Sequence, residues 1–132
     1  MTVLVVGQNP AFTSSVSSVK NKTLYRLYRW MSKANVEHFS FMNAYEYPGS
    51  IKEQEVSTGL YEAHLHHKKI VALGNEASKA LDKMGIKHLK MPHPSGLNRY
   101  LNDIEYEEKY IKLLRDYVED NWYEYILLID TT

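Results

Sequence analysis

Two short apolar runs, each ending at a glycine, constrain the fold of this chain most. Residues 3–6 read Val-Leu-Val-Val before Gly7, and residues 70–73 read Ile-Val-Ala-Leu before Gly74. Continuous apolar runs of this length, without polar alternation, are typical of strands buried on both faces of a parallel sheet. The sequence therefore predicts a sheet that is covered by helices on both sides.

Two further strands are predicted from residues 37–42, which alternate and end at Asn43, and from residues 86–91. Helical patterns separate the strands, so each connection is expected to be a right-handed βαβ crossover. The predicted fold is a three-layer α/β/α sandwich with a four-stranded parallel sheet in the order 2-1-3-4. A chain of 132 residues has room for one such domain, residues 1–132.

Apolar residues at helical spacing predict four helices. Thr23 is expected to cap the first, whose apolar positions are Leu24, Leu27, Tyr28, Met31 and Ala34. The second is expected over residues 52–67, around Val56, Leu60, Ala63 and Leu65. Asn75 is expected to cap the third, which Gly85 ends. The fourth is expected over residues 104–122, burying Tyr106, Tyr110, Leu113, Leu114 and Tyr117, and residues 125–129 could extend it or form an edge strand.

Composition limits the class of protein. The chain has no cysteine, which excludes disulfides, cysteine-ligated zinc and an iron–sulfur cluster. The first residues lack the basic segment and apolar core of a signal peptide, and no apolar run approaches the length of a membrane span. The expectation is a cytoplasmic monomer without a membrane association.

Charge is distributed unevenly although the formal net charge is zero. Residues 1–36 contain five basic residues and no acid, whereas residues 104–130 contain eight acids against three basic residues. Such a chain can present a basic face to a polyanion and keep an acidic back in solvent. Two ordinary solvated helix faces would give the same pattern.

The segment after the fourth strand carries the densest set of functional groups. Residues 92–99 read Pro-His-Pro-Ser-Gly-Leu-Asn-Arg. Two prolines and a glycine stiffen the backbone of this loop. A loop that only connects elements needs neither so many polar groups nor an exposed leucine, although a proline-rich connector remains the simple alternative.

The polar segments that follow the four strands are expected to meet at one edge of the sheet. The first strand leads into residues 7–12, the second into Asn43, the third into residues 74–75 and the fourth into residues 93–99. In open parallel sheets ligands bind beyond the carboxyl ends of the strands. The sequence therefore predicts a site at that edge.

The motifs Gly7-Gln8-Asn9-Pro10-Ala11 and His93-Pro94-Ser95-Gly96-Leu97, in this order, resemble those of the uracil-DNA glycosylase superfamily. Asn43 at the end of the second strand and the 70–74 strand fit the same pattern. The resemblance covers residues 3–99. It implies a DNA glycosylase that hydrolyses the N-glycosidic bond of uracil or a related deaminated or modified base. No cofactor is implied.

The resemblance implies a role for each motif residue. Asn9 would hold the attacking water and His93 would donate to the oxygen of the leaving base. An amide orients water but is no general base, so a slow enzyme is expected. Asn43 would match the O4 and N3–H edge of uracil. Ala11 stands where strict uracil enzymes have a tyrosine that excludes thymine, so other bases could fit.

The remaining residues of the implied site line the base pocket or contact DNA. Gln8 and Phe12 would lie at the base, and the ring stacked on it could be Phe12 or Tyr25. Leu97 would enter the stack vacated by a flipped base. The DNA-contacting set is Ser95, Gly96, Leu97, Asn98 and Arg99. The partner implied is uracil- or lesion-containing DNA, single- or double-stranded.

Other interpretations remain open. A non-catalytic binder of DNA or a nucleotide on the same fold would also explain the motifs, and without the resemblance Asn9 and Asn43 could be turn residues. A phosphate-binding turn at residues 7–12 is less favoured, because no Lys–Ser/Thr or Gly-x-Gly-x-x-Gly pattern follows. His64, His66 and His67 suggest a metal, but no carboxylate is evident beside them, and no metal site is predicted.

Overall fold

The described residues form a four-stranded parallel sheet with helices around it. The computed structural model describes residues 2–9, 18–94 and 103–119. The strands are β1 (Val3–Gly7), β2 (Ser40–Asn43), β3 (Lys69–Leu73) and β4 (Leu89–Met91). The helices are α1 (Ser18–Lys33), α2 (Gly59–Leu65), α3 (Asn75–Lys83) and α4 (Ile104–Glu119).

The sheet has the order β2-β1-β3-β4 and every neighbouring pair is parallel. All five residues of β1 and of β3 are buried, as expected for central strands of a sheet covered on both faces. The α/β fold, its parallel sheet and its strand order are therefore confirmed.

Alternate residues of β1 enter two separate cores. Val3 and Val5 pack with α1 and α4, whereas Leu4 and Val6 pack with α2 and α3. The two-residue period of a strand sends successive side chains to opposite faces, so the chain has one core on each side of the sheet.

Helix α1 differs from the predicted pattern at both its start and its buried face. It begins by Ser18, so Thr23 lies inside the helix and is not its N-cap. Leu24 and Tyr28, expected in the core, are 45% and 62% exposed. The buried stripe instead includes Trp30, whose indole N–H donates to Glu107 Oε1 at 3.1 Å. Burial of the large Trp30 ring, with a hydrogen bond for its N–H, contributes more to the orientation of the helix than burial of Leu24 or Tyr28 would.

Helix α2 is shorter than predicted. It covers Gly59–Leu65, and the preceding residues form a loop whose backbone is bonded by the Gln54 side chain. Local side-chain bonds of this kind compete with helix formation. Leu65, expected to be apolar core, is 63% exposed.

Helix α3 has Gly74 at its N-cap position, so Asn75 is its first residue and not its cap. Gly85 follows the helix with φ at +70°, the left-handed conformation expected of a glycine that ends a helix. Strands β2 and β4 begin later than predicted, at Ser40 and Leu89.

Helix α4 joins the core mainly through Ile111, Leu114 and Val118. The three predicted tyrosines are partly buried against it, whereas Leu113 is 41% exposed. Tyr117 accepts the Ile70 N–H at 3.1 Å, which ties α4 to β3. Residues 120–122 and 125–129 lie outside the described residues, so their predictions stay open. Across the described ranges, no helix has the length and apolarity that crossing a membrane requires.

Candidate functional site at the carboxyl edge of the sheet

Asn43 lies directly over Gly7, at the carboxyl ends of β2 and β1. The two residues are register partners in the sheet. A Cβ on Gly7 would lie only 2.8 Å from Asn43 Oδ1 and 2.9 Å from Phe41 Cζ. Gly7 is therefore needed here because its missing side chain leaves the space that the amide and the ring occupy.

The amide of Asn43 is available to a ligand. Within the described ranges, it makes no hydrogen bond to the protein, and the residue is half-buried. Its side chain lies on the same face of β2 as that of Phe41, because they are two residues apart. Phe41 is 51% exposed. The site thus combines one donor, one acceptor and one exposed ring.

His93 lies over Gly74, beyond the carboxyl ends of β3 and β4. A Cβ on Gly74 would lie 3.4 Å from His93 Cβ and 3.7 Å from His93 Cδ2. The Gly74 N–H donates to Met91 O at 2.8 Å, which extends the β3–β4 pairing to the start of this loop. The His93 ring keeps a solvent-exposed side, yet desolvation by its surroundings lowers its pKa below the usual 6.5. The neutral imidazole is therefore favoured.

Asn9 follows β1 and holds the loop that follows β2. Its Nδ2 donates to Tyr47 O at 3.0 Å and to Gly49 O at 2.8 Å. Both amide hydrogens are therefore used within the protein. The Oδ1 atom is left as an acceptor, since the described residues give it no donor.

The sequence did not indicate the residue that completes this loop, Gln54. Its Oε1 accepts the Tyr47 N–H at 3.1 Å, and its Nε2 donates to Tyr47 O and Ser50 O, both at 2.9 Å. Tyr47 O thus receives bonds from both Asn9 and Gln54. These bonds fix the loop that accepts both hydrogens of Asn9 Nδ2. The loop thereby fixes the orientation of the side-chain oxygen, Asn9 Oδ1.

Gln8 and the residues after Asn43 continue the pairing of β1 with β2. Ala44 N donates to Gly7 O at 2.8 Å and Tyr45 N donates to Gln8 O at 2.9 Å. The backbone of Gln8 is therefore held at the edge, and its side chain is half-buried. Gln8 and Asn9 thus follow β1, and Asn43 ends the neighbouring strand β2 at the same edge.

The two ends of the site are separated by the width of the sheet. Asn43 follows β2 and His93 follows β4, with β1 and β3 between them. Three strand spacings amount to about 14 Å between their backbones. Asn43 Oδ1 lies over Gly7 and the His93 ring lies over Gly74, so the two side chains lie over the ends of the two central strands.

Seven residues of the implied site lie outside the described residues. They are Ala11, Phe12, Ser95, Gly96, Leu97, Asn98 and Arg99. Their roles stay as the resemblance implies them.

Two of the three histidines that suggested a metal have other side-chain contacts. His67 Nδ1 lies 2.7 Å from Ala63 O and its Nε2 lies 3.0 Å from Ser40 Oγ. His64 Nδ1 contacts Tyr61 O. Among residues 2–9, 18–94 and 103–119, no group of three or more metal-ligating side chains is found.

Comparison of the chain with models of protein families, with curated proteins and with solved structures finds no match. The functional interpretation therefore depends on the residues of the site and on the resemblance of its motifs.

Proposed function

We propose that this protein is a DNA glycosylase that hydrolyses the N-glycosidic bond of uracil or of a related deaminated or modified base. The observation that carries the proposal is the arrangement at the carboxyl edge. The amide of Asn43, which makes no hydrogen bond among the described residues, lies at one end, and the imidazole of His93, whose pKa is lowered, lies at the other. Asn9 follows β1, which is one of the two strands between them.

His93 is the proposed donor to the leaving base. Cleavage of the glycosidic bond leaves negative charge on the base oxygen and positive charge on the sugar, so a donor aimed at that oxygen stabilises the transition state. The depressed pKa of His93 keeps the ring neutral near pH 7, and one N–H of a neutral imidazole is sufficient for this role.

Asn43 is the proposed reader of the base. Its amide N–H donates to O4 of uracil and its Oδ1 accepts N3–H, whereas cytosine presents the reverse pattern at these positions. A site built on buried hydrogen bonds rejects a mismatched base strongly, because the mismatched base leaves polar groups unpaired. Phe41, on the same face of β2, provides a ring against which a planar base can lie.

Asn9 is the proposed water holder. Both hydrogens of its Nδ2 are donated to the carbonyl oxygens of Tyr47 and Gly49, so its Oδ1 is the atom that can accept a hydrogen from water. An amide does not remove a proton from that water, so a lower rate is expected than with a carboxylate.

The proposed substrate is DNA that contains the lesion base. A base inside a duplex must be rotated out of the stack to enter such a site. By the resemblance, Leu97 fills the vacated space, and Ser95 and Arg99 contact phosphate or the opposite strand. A base in a single strand needs no such step.

A second candidate function is a non-catalytic DNA- or nucleotide-binding protein on the same fold. The bonds from Asn9 to Tyr47 and Gly49 favour it, because they give this asparagine a structural role that needs no water. The two functions differ in the step that each substitution would damage.

The test separates binding from cleavage. His93→Ala should lower the single-turnover rate on the order of a hundredfold, with affinity for a lesion oligonucleotide nearly unchanged. Asn9→Ala should also slow cleavage, whereas Asn43→Ala should weaken binding of the lesion base. His38→Ala serves as the matched control. His38 is exposed and precedes β2, so it lies at the amino ends of the strands, away from the candidate site. If His93→Ala and Asn9→Ala abolished binding and the wild type cleaved nothing, the binding function would replace the enzyme.

A further inference from the structure

Three aromatic rings are exposed on the side of the molecule formed by α1 and the edge strand β2. Tyr25 is 71% exposed, Tyr28 is 62% exposed and Phe41 is 51% exposed. The ring of Tyr28 also contacts that of Phe39, with centroids 5.5 Å apart. Single exposed apolar residues are ordinary, but several exposed rings on α1 and on β2, near a ring contact between α1 and the residue before β2, form a surface that needs an explanation.

These rings lead toward the candidate site. Helix α1 crosses from the carboxyl end of β1 back to the start of β2, so its earlier turns lie nearer the carboxyl edge. Tyr25 is closer to that edge than Tyr28, and the ring of Phe41 occupies the space over Gly7 beside Asn43. We name Tyr25, Tyr28 and Phe41 the aromatic surface.

The spacing of the rings favours unpaired bases. Tyr25 and Tyr28 are three residues apart on a helix, which puts their Cβ atoms about 5–6 Å apart. Successive bases in a duplex rise by only about 3.4 Å. A strand whose bases are stretched apart therefore fits these rings better than a stacked duplex, whose base faces are already covered.

The charge beside the rings suits a polyanion. Helix α1 has no acid in its sequence, and Arg26, Arg29 and Lys33 are spaced along it. Desolvation by burial, together with repulsion from Arg29, lowers the pKa of Arg26, so the two cations are close and a bound anion would relieve their repulsion. The charge of Arg29 is partly compensated by its ion pair with Glu107, whereas Lys33 is exposed at the end of the helix, where its ammonium can meet phosphate.

We propose that the aromatic surface binds single-stranded DNA and directs it to the carboxyl edge, so that the protein acts on bases in unpaired strands. Aromatic rings that alternate with cations bind single strands with little sequence preference, because every base has a face that stacks. The preference for unpaired lesions rests on the proposed glycosylase function, whereas the binding of an undamaged single strand does not.

The experiment measures binding of a fluorescein-labelled, undamaged oligothymidylate by fluorescence anisotropy. Replacement of both tyrosines by alanine should weaken binding about tenfold or more for each ring lost. Tyr25→Phe with Tyr28→Phe keeps the rings and should bind like the wild type. Tyr61→Ala with Leu65→Ala removes two exposed apolar side chains from α2 and should also leave binding unchanged. Since all four side chains are exposed, the circular dichroism spectrum should stay that of the folded protein.

Several outcomes would overturn the proposal. These are an alanine pair that binds like the wild type, a control pair that binds as weakly as the alanine pair, or a duplex of the same length that competes better than the single strand. Tighter binding of oligouridylate RNA would replace DNA with RNA as the partner. If the alanine pair did not fold, Tyr25→Ala alone would decide the question, because it removes the most exposed ring. Because the oligonucleotide carries no lesion, failure of the glycosylase proposal leaves this measurement unaffected.

Discussion

At the scale of single residues, two glycines determine the local backbone and packing at the two ends of the candidate site. Gly7 leaves the space taken by Asn43 and Phe41, and Gly74 turns the chain beside His93 with φ at +90°. Only glycine adopts such a φ without strain, and only glycine lets a side chain from a neighbouring strand come so close. The functional groups of the site thus depend on residues that have no functional group.

Gly7→Ala should therefore damage the site and the fold together. The added Cβ would lie 2.8 Å from Asn43 Oδ1 and 2.9 Å from Phe41 Cζ, so both side chains must move. Both atoms are the ends of side chains that can turn toward solvent, so the cost measured by urea denaturation should lie near the lower end of the about 1–3 kcal/mol of core overpacking. The displaced amide should weaken binding of the lesion base.

Gly59→Ala is the matched control for this change. Its added Cβ would meet only Met42 Cε, at 3.4 Å, and Gly59 is the first residue of α2, where alanine favours the helix. Its stability should be equal to or above that of the wild type. Equal losses in both variants would contradict the role given to Gly7.

The depressed pKa of His93 predicts a dependence of stability on pH. The unfolded chain takes up a proton at this histidine near pH 6.5, but the folded protein does so only at lower pH. The free energy of unfolding should therefore decrease as the pH falls below 6.5, because the unfolded state then binds more protons. His93→Gln should reduce this decrease, as measured by urea denaturation at pH 7.5 and pH 5.5. An NMR titration midpoint of the His93 ring above 6.5 would contradict the prediction.

At the scale of elements, Glu107 links α4 to α1. It is 8% exposed, accepts the Trp30 N–H at 3.1 Å and forms an ion pair with Arg29. Glu107→Ala would leave a buried indole N–H and a guanidinium without their acceptor, at a cost of about 2–4 kcal/mol. Glu107→Gln keeps an acceptor for Trp30 and should cost less. Urea denaturation measures the free energy of unfolding of the two variants. Equal losses would contradict the prediction that the hydrogen bond to Trp30 contributes most of the stabilisation by Glu107.

The sequence predicted the strands better than the helices. Residues 3–6 and 70–73 are β-branched and aliphatic, and burial on both faces leaves no other pattern for them. The buried face of α1 and the length of α2 were wrong because each depends on distant or irregular contacts. Trp30 needs Glu107, which is 77 residues away, and Gln54 bonds a loop whose shape the helical period does not reveal.

The site could be predicted only in part for the same reason. Asn43 and His93 were expected at the carboxyl edge because each follows a strand, and they lie there. The bonds from Asn9 to Tyr47 and Gly49 span 38 and 40 residues, and no local pattern indicates them. Phe41 was missed, although its two-residue spacing from Asn43 in a strand was a usable signal.

At the scale of the whole molecule, charge is divided between two helices on the same side of the sheet, in a protein whose formal net charge is zero. The basic residues of α1 and the acids of α4 belong to different helices. DNA binding should weaken steeply with salt, with a log–log slope of roughly −3 to −5, because each phosphate contact releases counterions. Lys33→Gln should make the slope less steep by about one. Anisotropy titrations over a range of salt concentrations measure the slopes of the wild type and of Lys33→Gln. An affinity that does not depend on salt would indicate that the protein binds a small ligand and not DNA.

The measurement that tests the central claim most directly is cleavage of oligonucleotides that each carry one altered base. Uracil, hypoxanthine and other deaminated or modified bases are each placed in single and double strands, and alkali-labile sites are counted after incubation with the protein. The account predicts that the wild type produces such sites at uracil or a related base, and that His93→Ala lowers the rate on the order of a hundredfold. A wild-type protein that leaves every altered base intact would contradict the glycosylase function.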